Sequence, residues 1–468
     1  MLGIVVLIIY AALMFGATVI FTKRTHDAES FHVADRRIGT GVAAMSIAAT
    51  WIWAPSLFVS AEKAYTSGIP GLFWFLVPNV LCLILFIPFA KRMRSAYPEG
   101  VTLTGYMATV YGSRKVKGVY SFQLGALAVL STAVQLLAGG KMLSAITGVP
   151  FWSMTIILAV IAYSYSCLSG LKASVTTDVI QLAIILLGCA LLVPWGLSRA
   201  GGVGAVTAGL GSITGDHASL FSEAGLSVFL GFGLPTAVGL ISGPFGDQCF
   251  WQRTFAIRED RIGRSFLIGA LIFAVVPLSM GTIGFAAAGT GFIAADAGMV
   301  NVEFITSLLP SWVLAPLLMM VLSGLLSTVD SNLCAAASLT TDWRISGRLD
   351  SKGRLKLSRL VMAGLLLVGI LAAQVGAISK VLTVFGIDSK MAAVVAISII
   401  ILYTSFSGMW GVALTDVVQL VVIFIGVPLT TVIGMAKIGG WSGMVAKLSA
   451  MDVPGGLDTY LSPTGIGL

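Results

Sequence analysis

Long apolar runs follow one another along this chain, each close to the length that the hydrocarbon core of a bilayer demands of a helix. Twelve are legible, centred near residues 12, 54, 83, 132, 160, 187, 240, 275, 326, 367, 397 and 424, and the polar segments between them leave no separate soluble domain. The pattern predicts an all-α polytopic membrane protein with about 12 transmembrane helices. Two runs are interrupted. The second, residues 41 to 68, contains Trp53-Ala54-Pro55, and Pro55 can neither donate a backbone hydrogen bond nor tolerate the carbonyl of Trp51, four residues back. Carbonyls around Ala49 to Ile52 should be freed. The seventh run is expected to break at Gly243-Pro244-Phe245-Gly246, after Pro235. Unwound backbone at membrane depth is tolerated only beside protein or a cavity, so paired interruptions mark a midplane binding site; either break taken alone reads equally as a packed proline kink.

The ninth run, Ser311 to Trp343, places Gly324, Ser327, Thr328 and Ser331 at helical positions i, i+3, i+4 and i+7, so one narrow face presents hydroxyls beside a glycine that allows close approach. Such a face suits a small dehydrated cation. Asp330 lies next to it, and a carboxylate near mid-membrane is a functional candidate by default because an unpartnered charge there costs several kcal/mol, on the order of 3 or more. Trp51, Trp53, Ser56, Phe73, Trp74 and Asn79 are candidates for the lining of a cavity, although aromatic residues in apolar spans more often pack or form an interfacial belt. Glu62 and Lys63 read as a snorkelling interfacial pair.

Composition agrees with the pattern. Of 468 residues 57% are hydrophobic and only 10% charged, and a mean hydropathy of +0.98 would leave a water-soluble protein with large exposed apolar patches. The net charge of +8 is a matter of topology: 21 of the 28 Lys and Arg fall in segments 23–39, 91–117, 171–173, 253–264 and 343–359, at alternate ends of the spans. These ends belong in the cytoplasm, which puts the N-terminus outside and argues against nucleic-acid binding. Residues 1 to 21 lack the basic start and the small-residue cleavage site of a signal peptide and read as a first span. The five cysteines show no CxxC spacing, and the three histidines, His26, His32 and His217, read as solvated loop residues. No arginine is obviously buried, and there is no metal constellation, nucleophile elbow or phosphate loop to suggest an enzyme.

One stretch occurs twice. Residues 165–181, from Tyr165 through Gly170, Thr177 and Asp178 to Gln181, recur as residues 403–419, from Tyr403 through Gly408, Thr415 and Asp416 to Gln419. Five glycines, from Gly148 to Gly202, align without gaps with five from Gly386 to Gly440. The copies run in the same orientation, unlike the inverted repeats on which alternating access relies.

Four motifs in order carry a resemblance to the sodium:solute symporter family. They are Phe31 to Ile38 before the first broken helix; Tyr165 to Gln181 with its Thr-Asp-x-x-Gln element; Asp247-Gln248-Cys-Phe-Trp-Gln252-Arg253; and Ser327-Thr328-Val-Asp330-Ser331. The resemblance implies a leucine-transporter-type core of two inverted five-helix repeats. It further implies a sodium site built from the carbonyls of Ala49, Ile52 and Gly324 with the hydroxyls of Ser327 and Thr328, and a second ion site in some members at positions matching Asp178, Asp330 and Ser331. Asp178 also reads as a helix cap beside Thr176 and Thr177. Five neutral oxygens suit a monovalent cation, whereas calcium would call for carboxylates. The expected parts are residues 1–360 as symporter core, 361–440 as a same-orientation duplicate that departs from the family's last core helices, and 441–468 as an outer segment.

The expected function is sodium-coupled symport of a small polar organic solute across the plasma membrane, with the bilayer and sodium as partners and no cofactor beyond the coupling ion. Proton coupling through Asp178 and Asp330 is the alternative. A symporter-like membrane sensor is disfavoured because no output module follows Leu468, and a channel because pores show rings of like charge or filter carbonyls. Urea, amino acids, short carboxylates and sugars all remain open as solutes.

Overall fold

The computed structural model describes residues 2–22 and 27–383, with scattered positions between 391 and 443. In chain order the helices are α1 (Leu2–Phe21), α2 (Ala28–Val33), α3 (Thr40–Trp51), α4 (Ala54–Leu57), α5 (Val59–Ala96), α6 (Leu103–Tyr111), α7 (Arg114–Thr147), α8 (Phe151–Ser169), α9 (Leu171–Ala200), α10 (Val203–Ala208), α11 (Glu223–Val228), α12 (Leu234–Gly246), α13 (Gln248–Ala256), α14 (Ile262–Gly289), α15 (Val300–Leu308), α16 (Leu314–Leu339) and α17 (Ser351–Thr383). Among the described residues there is no β-sheet, only an isolated bridge between Ile38 and Ile257. Residues 2–374 form one compact unit. The rest of the chain is described only as the end of α17 and the scattered positions, so the expected spans near 397 and 424 and the second copy of the repeat lie outside the described residues.

Nine helical segments among the described residues are long and apolar enough to cross a bilayer. They coincide with nine of the expected runs; the run near residue 54 is a tenth, in broken form as α3, α4 and the first turns of α5. The spanning elements are helices because nothing in hydrocarbon can satisfy backbone polar groups except the segment itself. Outward-facing side chains such as Ile8, Ile9, Val19 and Ile20 on α1 are exposed, as a lipid-facing surface requires.

α16 is the axis. In its most apolar stretch 72% of the residues are buried inside the protein, against at most 50% in any other span among the described residues. It packs against α9, α7, α3, α8 and α1, so its polar face is turned into protein from every side. The first break falls where Pro55 requires it: Ile52 (φ −81°, ψ 77°) and Trp53 (φ −94°, ψ 175°) leave the helical region, and Pro55 sits in the first turn of α4, where a missing N–H costs nothing. The second break is shifted from its expected place. α12 runs through Gly243 to Gly246 and ends at Asp247 (φ −112°, ψ 118°), which caps α13 by accepting the Cys249 N–H at 2.8 Å. α12 continues past Pro244, and side chains take the carbonyls at its end: Gln123 Nε2 donates to Gly246 O (2.9 Å) and Trp251 Nε1 to Phe245 O (2.9 Å). A π-helical turn, Phe229–Gly233, precedes Pro235 in the same span.

Two glycines set the packing around the core. At Gly284 a Cβ would lie 2.2 Å from the Ala61 carbonyl, so α14 reaches the start of α5 only without a side chain. Gly170, in the turn between α8 and α9, has φ +58° and ψ −131°, a region closed to L-residues, and a Cβ there would meet Phe31 O at 2.3 Å. Gly170→Ala is expected to cost about 1–3 kcal/mol in backbone strain, more with the clash. Heating of detergent-solubilised protein followed by size-exclusion chromatography should show loss of monodisperse material at a clearly lower temperature than wild type.

Candidate functional site

The break between α3 and α4 frees backbone groups in a dry interior, where each needs a partner. The Ala54 N–H is taken by Gln135 Oε1 from α7 at 2.8 Å. On the α16 side, Ser327 Oγ donates to Ala49 O (2.9 Å) and Gly324 O (3.1 Å), and Thr328 Oγ1 to Thr50 O (3.2 Å) and Gly324 O (3.4 Å). The Ile52 carbonyl oxygen lies 3.4 Å from where a Cβ on Gly324 would stand. Of the five oxygens singled out in the sequence, those of Ala49, Gly324, Ser327 and Thr328 thus converge between the broken helix and α16, and that of Ile52 lies beside Gly324. All five are neutral. A monovalent cation could take the lone pairs of the carbonyls and the two hydroxyls together, with little reorganisation of a set already in mutual contact.

Below this cluster the two carboxylates have different partners. Asp178 lies inside α9, which removes the helix-cap reading, and pairs with Arg253 Nη2 at 2.9 Å while accepting from Ser46 Oγ at 2.5 Å. Arg253 is fully buried, contrary to the expectation that no arginine lies inside. All its nitrogens are engaged: Nε donates to Ser46 Oγ (2.9 Å), Nη1 to Cys249 O (3.2 Å), and Nη2 also to Ser331 Oγ (2.7 Å). Its position on α13, among residues counted as loop, hid it from the hydropathy pattern. Asp330 faces a different set of donors: Ser174 Oγ (2.7 Å), Tyr165 OH (2.9 Å), Thr177 Oγ1 (3.3 Å) and Ser331 Oγ (3.4 Å). Ser331 links Asp330 to the Arg253 guanidinium and reaches Thr50 Oγ1 at 3.0 Å, which ties the network to the broken helix. The first copy of the repeat therefore supplies Tyr165, Thr177 and Asp178 to this cluster, and its Gln181 binds Tyr10 OH at 2.8 Å.

A cavity of about 490 Å³ opens on the other side of the oxygen cluster. Trp51 and Trp53, whose rings stack 6.2 Å apart, line it together with Phe75, Phe232, Asp247 and Asn332, and Thr50 and Thr328 form its floor toward the ion cluster. The other cavity candidates are elsewhere. Ser56 is buried and turned to Trp51 O (3.4 Å), and Trp74 packs on Phe229 with centroids 4.6 Å apart. Asn79 donates to Phe75 O at 2.7 Å, and its backbone carbonyl accepts the Trp51 indole at 3.1 Å, so it orients a lining residue without lining the cavity. Asp247 and Asn332 were missed as cavity residues. Asp247 stood in plain view as the first residue of its signature, directly after the Gly-Pro-Phe-Gly interruption. Glu62 and Lys63 pair at 3.0 Å as expected, with Lys63 Nζ 4.9 Å from the centre of the Phe232 ring.

α13 closes the far end. Gln248 Nε2 donates to Val101 O (3.0 Å) and Ser338 Oγ (3.0 Å), and Gln252 Nε2 to His32 O (2.8 Å) and Cys334 O (3.2 Å). His32 is buried here, contrary to its reading as a solvated loop residue, with Nε2 3.3 Å from Ser358 Oγ, and burial lowers its pKa from 6.5 to about 4. Lys172 and Asp35 pair at 2.6 Å, and this ion pair, with the Lys172 hydrogen bond foremost, holds the Asp35 carboxyl below its ordinary range.

A bundle of apolar helices surrounds two interrupted ones, with an oxygen cluster and a solute-sized cavity at the interruption, and this resembles the core of a secondary transporter. The comparisons agree. The sequence profile of the sodium:solute symporter family matches residues 31–343 and again 340–466, and the chain belongs to that family. The second match covers the stretch in which residues 165–181 recur as 403–419. Among relatives, a urea-proton symporter of Oryza sativa subsp. japonica is 25% identical over 400 residues, 78% of this chain and 54% of its own length. A sodium/pantothenate symporter of Haemophilus influenzae is 25% identical over 356 residues, 72% of this chain and 71% of its own. The chain spans about half the length of the urea transporters it matches. A Na+-coupled sialic acid symporter, solved substrate-bound and outward-open, superposes with a TM-score of 0.66 at 17% identity, covering 80% of this chain and 82% of that one. The fold is thus of the leucine-transporter type, in a chain whose described residues include nine helices of bilayer-spanning length.

Two expectations follow from the lower network. Arg253→Met strands the Asp178 carboxylate and should destabilise by about 3–5 kcal/mol, while adding Asp178→Leu should restore a good part of that in thermal melts. His32 is neutral in the fold down to about pH 4 but is protonated below 6.5 when unfolded. Its contribution is complete above pH 6.5 and is lost as pH falls toward 4, because the unfolded chain then binds the extra proton. Melting temperatures at pH 7 and pH 5 should differ less in His32→Asn than in wild type.

Proposed function

We propose that this protein is a sodium-coupled symporter that carries a small polar organic solute by alternating access, lying in the plasma membrane with its N-terminus outside. The observation that carries the reading is the convergence of the Ser327 and Thr328 hydroxyls on the carbonyls of Ala49 and Thr50, at 2.9 and 3.2 Å, across a helix interruption. Neutral oxygens gathered in a dry place, next to a solute-sized cavity that shares Thr328, form a device for coupling a monovalent cation to a solute. One sodium ion moving down about 100 mV releases roughly 2.3 kcal/mol, which supports about 50-fold accumulation of solute per ion. The duplicated stretch after residue 360 acts as scaffold. Uptake into proteoliposomes should collapse when sodium is replaced by choline, and uptake indifferent to that replacement overturns the reading.

Proton coupling is the second reading, and Asp330 is what favours it. Its partners among the described residues are hydroxyls, whereas the neighbouring Asp178 has Arg253. A buried carboxylate in such surroundings calls for a proton or a metal ion to balance it. Accumulation driven by external acid in the absence of sodium would support this reading over the first.

Thr328→Val keeps the side-chain shape and removes one of five oxygens. The half-saturating sodium concentration should rise markedly, on the order of tenfold or more for a ligand lost in a dry site, while solute affinity at saturating sodium changes less, through linkage. Substitution of Thr415 in the second copy should leave sodium dependence nearly untouched. Sodium activation curves of uptake read both.

A further inference from the structure

Away from the oxygen cluster, at the basic end of the spans, another cavity of about 280 Å³ opens between α5, α6, α7 and the junction of α12 with α13. Its walls are fixed by packing. Gln248 on α13 accepts the Leu103 N–H (3.2 Å) and donates to Val101 O (3.0 Å), which pins the start of α6 against α13. The Phe89 and Phe245 rings meet edge to face with centroids 5.0 Å apart, and Trp251, its indole N–H committed to Phe245 O, adds a further aromatic side.

Three lining residues keep donors in reserve. Among the described residues the Arg92 guanidinium has no ion-pair or hydrogen-bond partner, and the Tyr106 and Tyr120 hydroxyls have no hydrogen-bond partner. Arg92 is exposed, the two tyrosines are half-buried, and both hydroxyls keep accessible surface. Neighbouring arginines differ: Arg94 donates to Pro98 O, and Arg36 to Gly100 O and Glu29. No Asp or Glu is among the lining residues. One unpaired guanidinium and two phenol hydroxyls around an otherwise apolar cleft suit an anion with an apolar body, and a guanidinium favours phosphate.

The surroundings decide its source. Phe89 on α5, Tyr111 at the end of α6 and Phe122 on α7 are exposed, as on a face turned to hydrocarbon. Arg92, Arg114 and Lys115, all exposed, follow within about two turns along the same elements. The cavity therefore lies where hydrocarbon gives way to headgroups, in a basic zone that attracts anionic lipid. Its 280 Å³ equals about nine water volumes at ~30 Å³ each, room for a phosphodiester and the first methylenes of a chain.

We propose that this cavity binds an anionic phospholipid of the bilayer, with the phosphate on Arg92 and the Tyr106 and Tyr120 hydroxyls and the start of an acyl chain against Phe89 and Phe245. The test is native mass spectrometry of the full-length protein in detergent, titrated with phosphatidylglycerol or with phosphatidylcholine of the same chains. Phosphatidylglycerol should be retained at concentrations on the order of tenfold lower. Arg92→Gln keeps much of the reach without the charge, and the double variant Tyr106→Phe, Tyr120→Phe keeps the rings without the hydroxyls. Each should weaken phosphatidylglycerol binding on the order of tenfold. Arg114→Gln, on α7 but outside the cavity, should bind as wild type does. The groups removed have no protein partner, so all variants should elute as monodisperse protein. Equal retention of the two lipids by wild type, unchanged phosphatidylglycerol binding in Arg92→Gln or in the tyrosine variant, or an equal loss in Arg114→Gln overturns the inference. Inorganic phosphate alone is the remaining arm: if it raises the melting temperature as much as phosphatidylglycerol does, and Arg92→Gln abolishes the effect, the site takes a free anion and the lipid assignment falls.

Discussion

A helix interrupted inside a membrane protein must find partners for the backbone groups that the interruption exposes, and in this chain that requirement organises everything around it. Pro55 forbids the α3 helix from continuing, so the carbonyls of Ala49 to Ile52 must be met by side chains from elsewhere. Ser327 and Thr328 on one face of α16 meet those of Ala49 and Thr50, and Ser56 meets that of Trp51; α16 is accordingly the most enclosed of the spans among the described residues, and a glycine stands at position 324, where a side chain would strike Leu57. The polar face that looks costly on α16 and the freed carbonyls that look costly on α3 are each other's solution. The proposed cation would sit where these oxygens converge, taking the place of the hydroxyl-to-carbonyl hydrogen bonds.

The charged layer beneath follows a different rule. A guanidinium with no water around it is tolerable only if its donors are all used, and Arg253 achieves this with acceptors from α3, α9, α13 and α16. Asp178 is thereby fixed as the counter-charge of an arginine. Asp330, one turn along α16 from the cation cluster and supported by hydroxyls, retains the freedom to be balanced by something that comes and goes. Two carboxylates that look equivalent as sequence are thus separated by their neighbours.

Much of this was legible without coordinates. Apolar runs of bilayer length, Pro55 and the i, i+3, i+4, i+7 spacing on α16 are local signals, and local signals place helices, breaks and faces. The residues that went unread were those whose role depends on distant partners. Arg253 lay in a short helix dense with polar residues, where the basic count suggested a cytoplasmic loop; only the approach of α3, α9 and α16 makes it interior. His32 was misread for the same reason. Asn79 and Trp74 looked like cavity residues because aromatic and amide side chains in a span invite that reading, yet which face of a helix borders a void is decided by packing between elements. The end of α12 shifted to Asp247 because Gln123 and Trp251, far apart in sequence, satisfy its last carbonyls.

The short helix α13 carries a mechanical consequence. Through Gln248, Gln252 and Arg253 its nine residues hold the backbone of Val101 and of His32, the hydroxyls of Ser46, Ser331 and Ser338, and the carboxylate of Asp178. These contacts lie on one rigid rod little more than two turns long, so they cannot be broken one at a time by bending it. Any movement that draws α13 away from α16 has to release them in concert, and each, once loosened, leaves a buried polar group that favours re-closure. α13 is therefore fastened to its neighbours as a unit and not contact by contact.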